Sequence, residues 1–272
     1  MGLVRKSIED LAVGQVGIIG LPFDSNSSYL PGPAKAPTLI IEAIESDSAN
    51  YFTEDLTDLN ENPKVAWCGN QSTADYLDLG NAVNQILDKD AIPFTLGGDH
   101  SVTFPVVEAV AKKHPKLTIL HFDAHCDLYD ELDGNKYSHA CPFARIMENG
   151  HAQKLTQVGI RTLNTAQKLQ ADRFGVKIIQ MKDWNPAVKF EFDGPVYVSF
   201  DMDVLDPAFA PGVSHHEPGG LSTREALTMI QNFDFDIVGC DVVEFNPDRD
   251  INGVTAMVTA KIVKELLAKM VR

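Results

Sequence analysis

The chain has 272 residues, of which 44% are hydrophobic and 22% charged, a composition typical of a folded globular protein rather than a disordered or fibrous one. Its formal net charge of −15 at pH 7 repels nucleic-acid phosphates and anionic membranes, so neither is expected as a partner. Small cationic ligands suit this charge better, although an acidic excess also serves solubility alone. At this length we expect a single domain spanning residues 1–272.

Cysteine spacing and the distribution of apolar residues bear on the compartment. The four cysteines lie far apart and form no C-x-x-C pair, which argues against a disulfide framework or a thiolate zinc site. No apolar run approaches the roughly 18 residues needed to cross a bilayer, and the N-terminal segment contains no uninterrupted apolar stretch. We therefore expect a reducing, cytoplasmic location.

Short β-rich apolar runs alternate along the chain with segments of helical period, which is the pattern of repeated β–α units. Eight strands are predicted, in chain order Val16–Leu21, Lys64–Cys68, Ile92–Leu96, Leu117–Asp123, Gln157–Ile160, Val176–Ile179, Val196–Asp201 and Ile237–Val243. Such units build a parallel sheet with helices on both faces, so the predicted fold class is α/β.

Two apolar stripes and one capping signal predict helices between these strands. The first stripe consists of Leu79, Val83, Ile86 and Leu87. The second, near the C-terminus, consists of Val254, Val258, Ile262, Leu266 and Met270. Ser222, followed three residues later by Glu225, predicts a capping box at the start of a helix that runs toward Phe233.

Residues of the types that bind metals follow three of the predicted strands. They form G-G-D-H-S at 97–101, D-A-H-C-D at 123–127 and D-M-D at 201–203. Because parallel strands end at one edge of a sheet, we expect these three segments to converge in space. Alternate side chains of an extended segment share a face, so the acidic and histidine residues can point together while Cys126 and Met202 point away.

The converging side chains amount to four carboxylates and two imidazoles: His100, Asp123, His125, Asp127, Asp201 and Asp203. Clustered carboxylates away from water repel one another unless cations neutralise them, which predicts a metal site. Hard oxygen donors with a minority of nitrogens suit Mn²⁺, and Fe²⁺, Co²⁺ or Ni²⁺ are compatible with the same donors. Six ligands favour two ions about 3.5–4 Å apart, as in two-metal hydrolases. A D-x-D segment alone is more often a turn or helix cap.

Two further residues are candidates for catalysis. His139 lies twelve residues beyond Asp127 in a Gly- and Asn-containing loop, where we expect it to swing over the site as a proton carrier. Glu244 follows the last predicted strand, so it reaches the same sheet edge and can ion-pair with a cationic substrate. Without a catalytic role, the first would be an ordinary surface histidine and the second a capping glutamate.

The order of these segments resembles the ureohydrolases, the arginase and agmatinase family. The segments are GGDHS, DAHCD, YSHA, SFDMDVLDPAFAPG and DVVEFNP, and the likeness spans nearly the whole chain. Residues 26–33 and 212–220 are most like plant-type arginases. The resemblance implies a three-layer α/β/α sandwich with a mainly parallel, eight-stranded sheet, and assembly into a homo-oligomer, either a trimer or a hexamer.

The resemblance also implies two Mn²⁺ ions per subunit and a role for each site residue. One ion would be held by His100, Asp123, Asp127 and Asp201. The other would be held by Asp123, His125, Asp201 and Asp203, so that Asp123 and Asp201 bridge the pair. In the implied mechanism an activated water attacks the guanidinium carbon, and Asp127 helps to handle its proton. His139 relays a proton to the leaving amine, and Glu244 anchors the guanidinium.

The substrate implied by the resemblance is L-arginine, hydrolysed to urea and L-ornithine, with agmatine, hydrolysed to urea and putrescine, as the second candidate. Tyr129 stands where animal-type arginases have an asparagine that holds the amino-acid end of the substrate. The candidates for binding the substrate's tail are Asn135, Lys136, His215 and His216. Three less favoured functions are hydrolysis of a different guanidino compound, deacetylase-type amide hydrolysis at one zinc ion, and metal binding by a non-catalytic subunit.

Overall fold

Nine strands form one sheet in the computed structural model, which describes residues 2–186 and 188–271. The strands are β1 (Val4–Arg5), β2 (Val16–Gly20), β3 (Val65–Asn70), β4 (Ile92–Leu96), β5 (Thr118–Phe122), β6 (Lys154–Ile160), β7 (Lys177–Gln180), β8 (Val196–Asp201) and β9 (Ile237–Val243). Their order across the sheet is β1-β3-β2-β4-β9-β8-β5-β6-β7, and every neighbouring pair is parallel.

The strand count differs by one from the prediction. All eight predicted strands are present, and the additional one is β1, a two-residue strand that pairs with β3 at the sheet edge. Two residues are too few to show any alternation of apolar and polar side chains, so no periodic signal marks this strand. The prediction of an α/β fold with a parallel sheet is otherwise confirmed.

Within the described residues, seven α-helices cover the two faces of the sheet. They are α1 (Ala36–Ile44), α2 (Gly80–Asp88), α3 (Thr103–Lys113), α4 (Pro142–Glu148), α5 (Thr165–Phe174), α6 (Thr223–Gln231) and α7 (Val254–Met270). Helices α1, α6 and α7 pack into the core on one face, and helices α2 to α5 pack into the core on the other. The predicted three-layer α/β/α arrangement is therefore confirmed.

The local signals for helices are largely confirmed. The Ser222 side chain accepts from the Glu225 backbone N–H at the start of α6, and the Glu225 side chain accepts from the Ser222 backbone N–H. These two bonds form the predicted capping box. The stripe around α2 is buried, as is most of the stripe on α7. Val258 is half-buried, and Val254 is 48% exposed at the first position of α7, where the stripe extends past the core.

The sheet order places four site-bearing strands side by side. Strands β4, β9, β8 and β5 are consecutive neighbours in the middle of the sheet. Because all are parallel, the segments that follow them meet at one edge, where α/β proteins place their binding residues. Within the described residues, no helix is both long and apolar enough to cross a membrane.

Candidate active site

The first cluster at this edge surrounds the ring of His100. Its Nδ1 atom lies 3.2 Å from Asp123 Oδ2, 3.0 Å from Asp127 Oδ2 and 3.1 Å from Asp201 Oδ2. The ring is fully buried, and Nδ1 makes no well-aligned hydrogen bond with any described atom despite these three close oxygens. Three carboxylate oxygens therefore surround one histidine nitrogen, a donor set that suits a cation.

The second cluster surrounds the ring of His125. Its Nδ1 atom lies 3.2 Å from Asp123 Oδ1 and 3.1 Å from Asp203 Oδ2. Asp123 therefore contributes one oxygen to each cluster, and the two clusters lie side by side. The structure brings together all six residues that were predicted to bind metal. For Asp201, the described contacts are with His100 and with the backbone of Asp203, so its predicted bridging position remains a prediction.

Backbone N–H groups hold the carboxylates in place. Asp201 accepts from the Asp203 N–H through Oδ1 (2.7 Å), which leaves Oδ2 facing His100. Asp203 likewise accepts from the Ala124 N–H through Oδ1 (3.1 Å), which leaves Oδ2 facing His125. The predicted outward orientation of Cys126 and Met202 is confirmed, since both lie in the hydrophobic cores.

Strained backbone is found at two of the site residues. Among the described non-glycine residues with positive φ, Asp127 (φ 48°) and Glu244 (φ 63°) are buried, while the others are exposed. L-residues adopt this left-handed region at a cost, and such residues concentrate at functional sites. Gly98 is required for a different reason, because a Cβ there would lie 1.7 Å from the carbonyl oxygen of Phe23.

The charges within the two clusters do not balance. Burial, together with repulsion from Asp203 and Asp123, raises the pKa of Asp201 well above its ordinary value of 3.8. Burial also raises the pKa of Asp203 to about 6. Burial alone would lower the pKa of His100, but the surrounding carboxylates outweigh it and raise that pKa well above 6.5. The clusters thus hold more negative charge than the rings offset, and a divalent cation fits this donor set.

His139 and Glu244 form a buried pair next to the first cluster. Glu244 Oε1 accepts from the His100 N–H at 2.8 Å and lies 3.3 Å from His139 Nδ1. The other ring nitrogen, Nε2, is 2.8 Å from Ser28 Oγ. Burial lowers the pKa of His139, but the Glu244 carboxylate outweighs it and raises that pKa to about 9. The expectation of a freely swinging loop histidine is wrong, because contacts at both nitrogens hold the ring.

The candidates for binding the substrate's tail lie at different distances from the site. His215 is half-buried, and its ring centroid is 5.1 Å from that of His139 and 5.8 Å from that of His125. His216 is exposed and bonds through Nε2 to a backbone carbonyl at 2.6 Å. Asn135 donates to Asn26 Oδ1 at 3.1 Å. Among these candidates, His215 therefore packs directly against site residues.

Three buried polar residues near the site were missed by sequence reasoning. His121 lies 2.9 Å from Asp123 Oδ2, and Ser199 Oγ lies 3.0 Å from His100 Nε2. Asp241 accepts from Ser199 Oγ at 2.6 Å. The sequence did contain a signal, because each of the three is a polar residue inside a mostly apolar, buried strand. Each lies two or three positions before the site residue that ends or follows its strand.

The fold and the site together define a metal-binding α/β protein of the hydrolase type. The family model described as "Arginase family" matches residues 14–268. "Arginase 1, mitochondrial" from Arabidopsis thaliana is 46% identical over 95% of this chain and 82% of its own length. "Guanidino acid hydrolase, mitochondrial" from Homo sapiens is 34% identical over 98% of this chain and 80% of its own length.

Among solved structures, the arginase from Medicago truncatula superimposes with a TM-score of 0.89 at 42% identity, covering 96% of this chain and 88% of that one. The chain belongs to the arginase family. The family consists of metal-dependent hydrolases that act on guanidino groups, which confirms the predicted enzyme class. The expected cytoplasmic location gains no support, since these curated relatives are named as mitochondrial.

Proposed function

We propose that the enzyme hydrolyses L-arginine to urea and L-ornithine at a pair of Mn²⁺ ions. The observation that carries the proposal is the sharing of Asp123 between two histidine–carboxylate clusters, with the buried His139–Glu244 pair beside them. Two adjacent cation positions next to a carboxylate that can bind a guanidinium are what such hydrolysis requires. The assignment of arginine rests on the similarity to plant arginases over nearly the whole chain.

The proposed ligands divide between the two ions as the clusters do. The first ion would be held by His100, Asp123, Asp127 and Asp201. The second would be held by Asp123, His125 and Asp203, with Asp201 as a second bridge. When bound, such a pair of divalent ions lowers the pKa of water, so that a nucleophile forms near neutral pH. Oxygen ligands in the majority favour Mn²⁺ over zinc.

The side chains next to the ions then have separate tasks. Glu244 is buried and, in the proposal, its carboxylate binds the planar guanidinium through charge-assisted hydrogen bonds, which orients the central carbon toward the ions. Asp127 accepts the proton of the attacking water. His139 donates a proton to the leaving amine, and the carboxylate beside it keeps the ring protonated near neutral pH, as this donor requires.

The substrate assignment is tested by measuring urea release from L-arginine, agmatine and shorter guanidino acids. The protein is stripped with EDTA, reloaded with Mn²⁺ and assayed with each substrate at equal concentration. We expect the highest kcat/KM for L-arginine and no urea from the stripped protein. A higher kcat/KM for agmatine or for a guanidino acid would replace arginine with that substrate, and urea release that persists without metal would contradict the metal site.

The proposal extends to assembly and compartment. We propose a trimer or hexamer, as the family resemblance implies, which analytical ultracentrifugation of the metal-loaded protein tests directly. The described cysteines are all free, and Cys126, Cys141 and Cys240 are buried. Free thiols persist in a reducing compartment, so we propose that the enzyme works in one.

A further inference from the structure

A row of buried polar side chains crosses the sheet directly beneath the proposed metal site. Its members, on five neighbouring strands, are Thr95, Asp241, Ser199, His121 and Gln157. Each is paired in register with the next, and all are fully buried. Buried polar side chains destabilise a sheet unless their hydrogen bonds are satisfied, so the contacts within this row require an explanation.

Asp241 is the centre of the row, because three hydroxyl groups surround its carboxylate. Ser199 Oγ lies 2.6 Å from Oδ1, whereas Tyr197 Oη (2.6 Å) and Thr103 Oγ1 (2.9 Å) both contact Oδ2. In all three contacts the hydroxyl donates and the carboxylate accepts. Ser199 has a single hydroxyl hydrogen, and the contact with Asp241 uses it.

The contact between Ser199 and His100 therefore has a fixed direction. Ser199 Oγ lies 3.0 Å from His100 Nε2 and has no hydrogen left to donate, so it accepts and Nε2 carries the proton. In the neutral ring the unprotonated nitrogen is then Nδ1, the atom that faces the three carboxylates of the first cluster. That lone pair is the one a metal ion requires.

We propose that Asp241 is a positioning residue, which acts through Ser199 to hold His100 in the tautomer and orientation that bind the first metal ion. The inference rests on the proposed metal site and goes beyond it, since neither Asp241 nor Ser199 contacts the carboxylates of that site in the described geometry. Residues that orient a ligand in this way typically contribute about 10- to 100-fold in metal affinity.

The substitution Asp241→Asn is expected to reverse the direction of the network. The single carbonyl oxygen of asparagine is best placed toward Tyr197 and Thr103, which supply two donors, so the amide NH₂ faces Ser199. Ser199 then accepts from the amide and donates its own hydrogen to His100 Nε2. The neutral ring must now carry its proton on Nδ1, where it blocks the metal ion.

The test measures metal content and affinity rather than activity. Each variant of the full chain is loaded with Mn²⁺, and the two dissociation constants are obtained by competition with a chelator, with ion counts from elemental analysis. The variants are Asp241→Asn, Ser199→Ala, the double variant, and Thr103→Val. The last is the matched control, because it also removes a buried hydroxyl that donates to Asp241, and that hydroxyl has no described hydrogen bond to the His100 ring.

We expect weaker binding of one of the two ions, by about 10-fold in Ser199→Ala and about 100-fold in Asp241→Asn, with Thr103→Val within about 3-fold of the wild type. The double variant should bind this ion more tightly than Asp241→Asn alone, because the wrongly directed hydroxyl is gone. Only the tautomer explanation predicts this recovery. If both substitutions merely damaged the structure, the double variant would bind the ion as weakly as Asp241→Asn, or more weakly.

Equal affinities in Ser199→Ala and Thr103→Val would overturn the proposal, as would a double variant no better than Asp241→Asn. If Asp241→Asn fails to fold, the comparison of Ser199→Ala with Thr103→Val decides alone. The ion content and urea release of the wild type distinguish a failure of this proposal from a failure of the proposed function. Two ions and urea release in the wild type, with no difference between Ser199→Ala and the control, would refute only the positioning role, whereas a wild type that binds no ions would refute both.

Discussion

The substitution Asp203→Asn tests the charge balance of the site by removing one buried carboxylate with little change in shape. Asp203 accepts from the Ala124 N–H through Oδ1, and an asparagine carbonyl can keep that bond. The other oxygen lies 3.1 Å from His125 Nδ1 and would become an NH₂ group. The variant therefore loses a negative charge and one proposed ligand of the second ion.

The effect on the metal-free protein follows from the pKa of Asp203. Burial raises that pKa to about 6, above its ordinary value of 3.8, so the ionised form is disfavoured in the folded state. At 1.36 kcal/mol for each pH unit, the folded protein is destabilised by about 3 kcal/mol at neutral pH. This cost is fully present above pH 6 and disappears below about pH 4, where the carboxyl group is protonated in both states.

In EDTA at pH 7.5 we therefore expect Asp203→Asn to be more stable than the wild type by up to about 3 kcal/mol, and equally stable near pH 3.5. Adding Mn²⁺ has a different effect on the two proteins. Each ion at 100 times its dissociation constant stabilises the folded state by about 2.7 kcal/mol. The wild type should gain this increment twice and the variant once, with one ion per chain by elemental analysis.

The assay is urea denaturation followed by circular dichroism, with and without Mn²⁺, across this pH range. The control is Asp234→Asn, an exposed aspartate that precedes β9, at the end of that strand away from the site. It should change neither the pH dependence nor the increment from Mn²⁺. A variant that is less stable than the wild type in EDTA at pH 7.5, or that still binds two ions, would refute the reasoning.

Three further predictions concern substrate binding, acid stability and packing. Glu244→Gln should keep both ions but raise the KM for the guanidino substrate at least tenfold, and an unchanged KM would remove its anchoring role. Hydrogen bonds from Arg224 and Gln231 lower the pKa of Glu54 to about 2. The ionised carboxylate therefore stabilises the folded state above pH 4.5, and this stabilisation is lost as the pH falls toward 2. Glu54→Gln should therefore reduce stability at neutral pH by less than about 1 kcal/mol, since the pair is partly exposed, and leave it unchanged at pH 2, as urea titrations at both pH values would show. Phe143 is fully buried with its ring centroid 3.9 Å from that of His121, so Phe143→Ala should lower the free energy of unfolding by about 3–5 kcal/mol, measured by urea denaturation.

The strands and the proposed ligands could be predicted from sequence because both depend on local patterns. An apolar run of five to seven residues predicts a buried strand, and the residues just after it lie at the sheet edge whatever the strand's neighbours are. Asp123, His125 and Asp203 lie at this edge for that reason. Parallel strands bring such segments to one edge, and their close approach requires in addition that β5 and β8 be neighbours, which no local pattern indicates.

The supporting contacts could not be predicted, because they depend on which strands are neighbours. Asp241 on β9 contacts Ser199 on β8 only because these strands pair in register, although 42 residues separate them in sequence. The burial of His139 was missed for a similar reason. Its ring is held by Ser28, from a loop 111 residues earlier, and no local pattern around His139 indicates that contact.

Backbone N–H groups orient the carboxylates of the site without the help of a cation. Asp201 and Asp203 each give one oxygen to a backbone N–H and turn the other toward a histidine ring. These backbone bonds need no cation, and the cores on both faces of the sheet fix β8, the strand that leads to the two residues. We therefore expect metal binding to neutralise charge in a pocket that the fold already forms rather than to drive folding, in contrast to zinc fingers, which unfold without their ion.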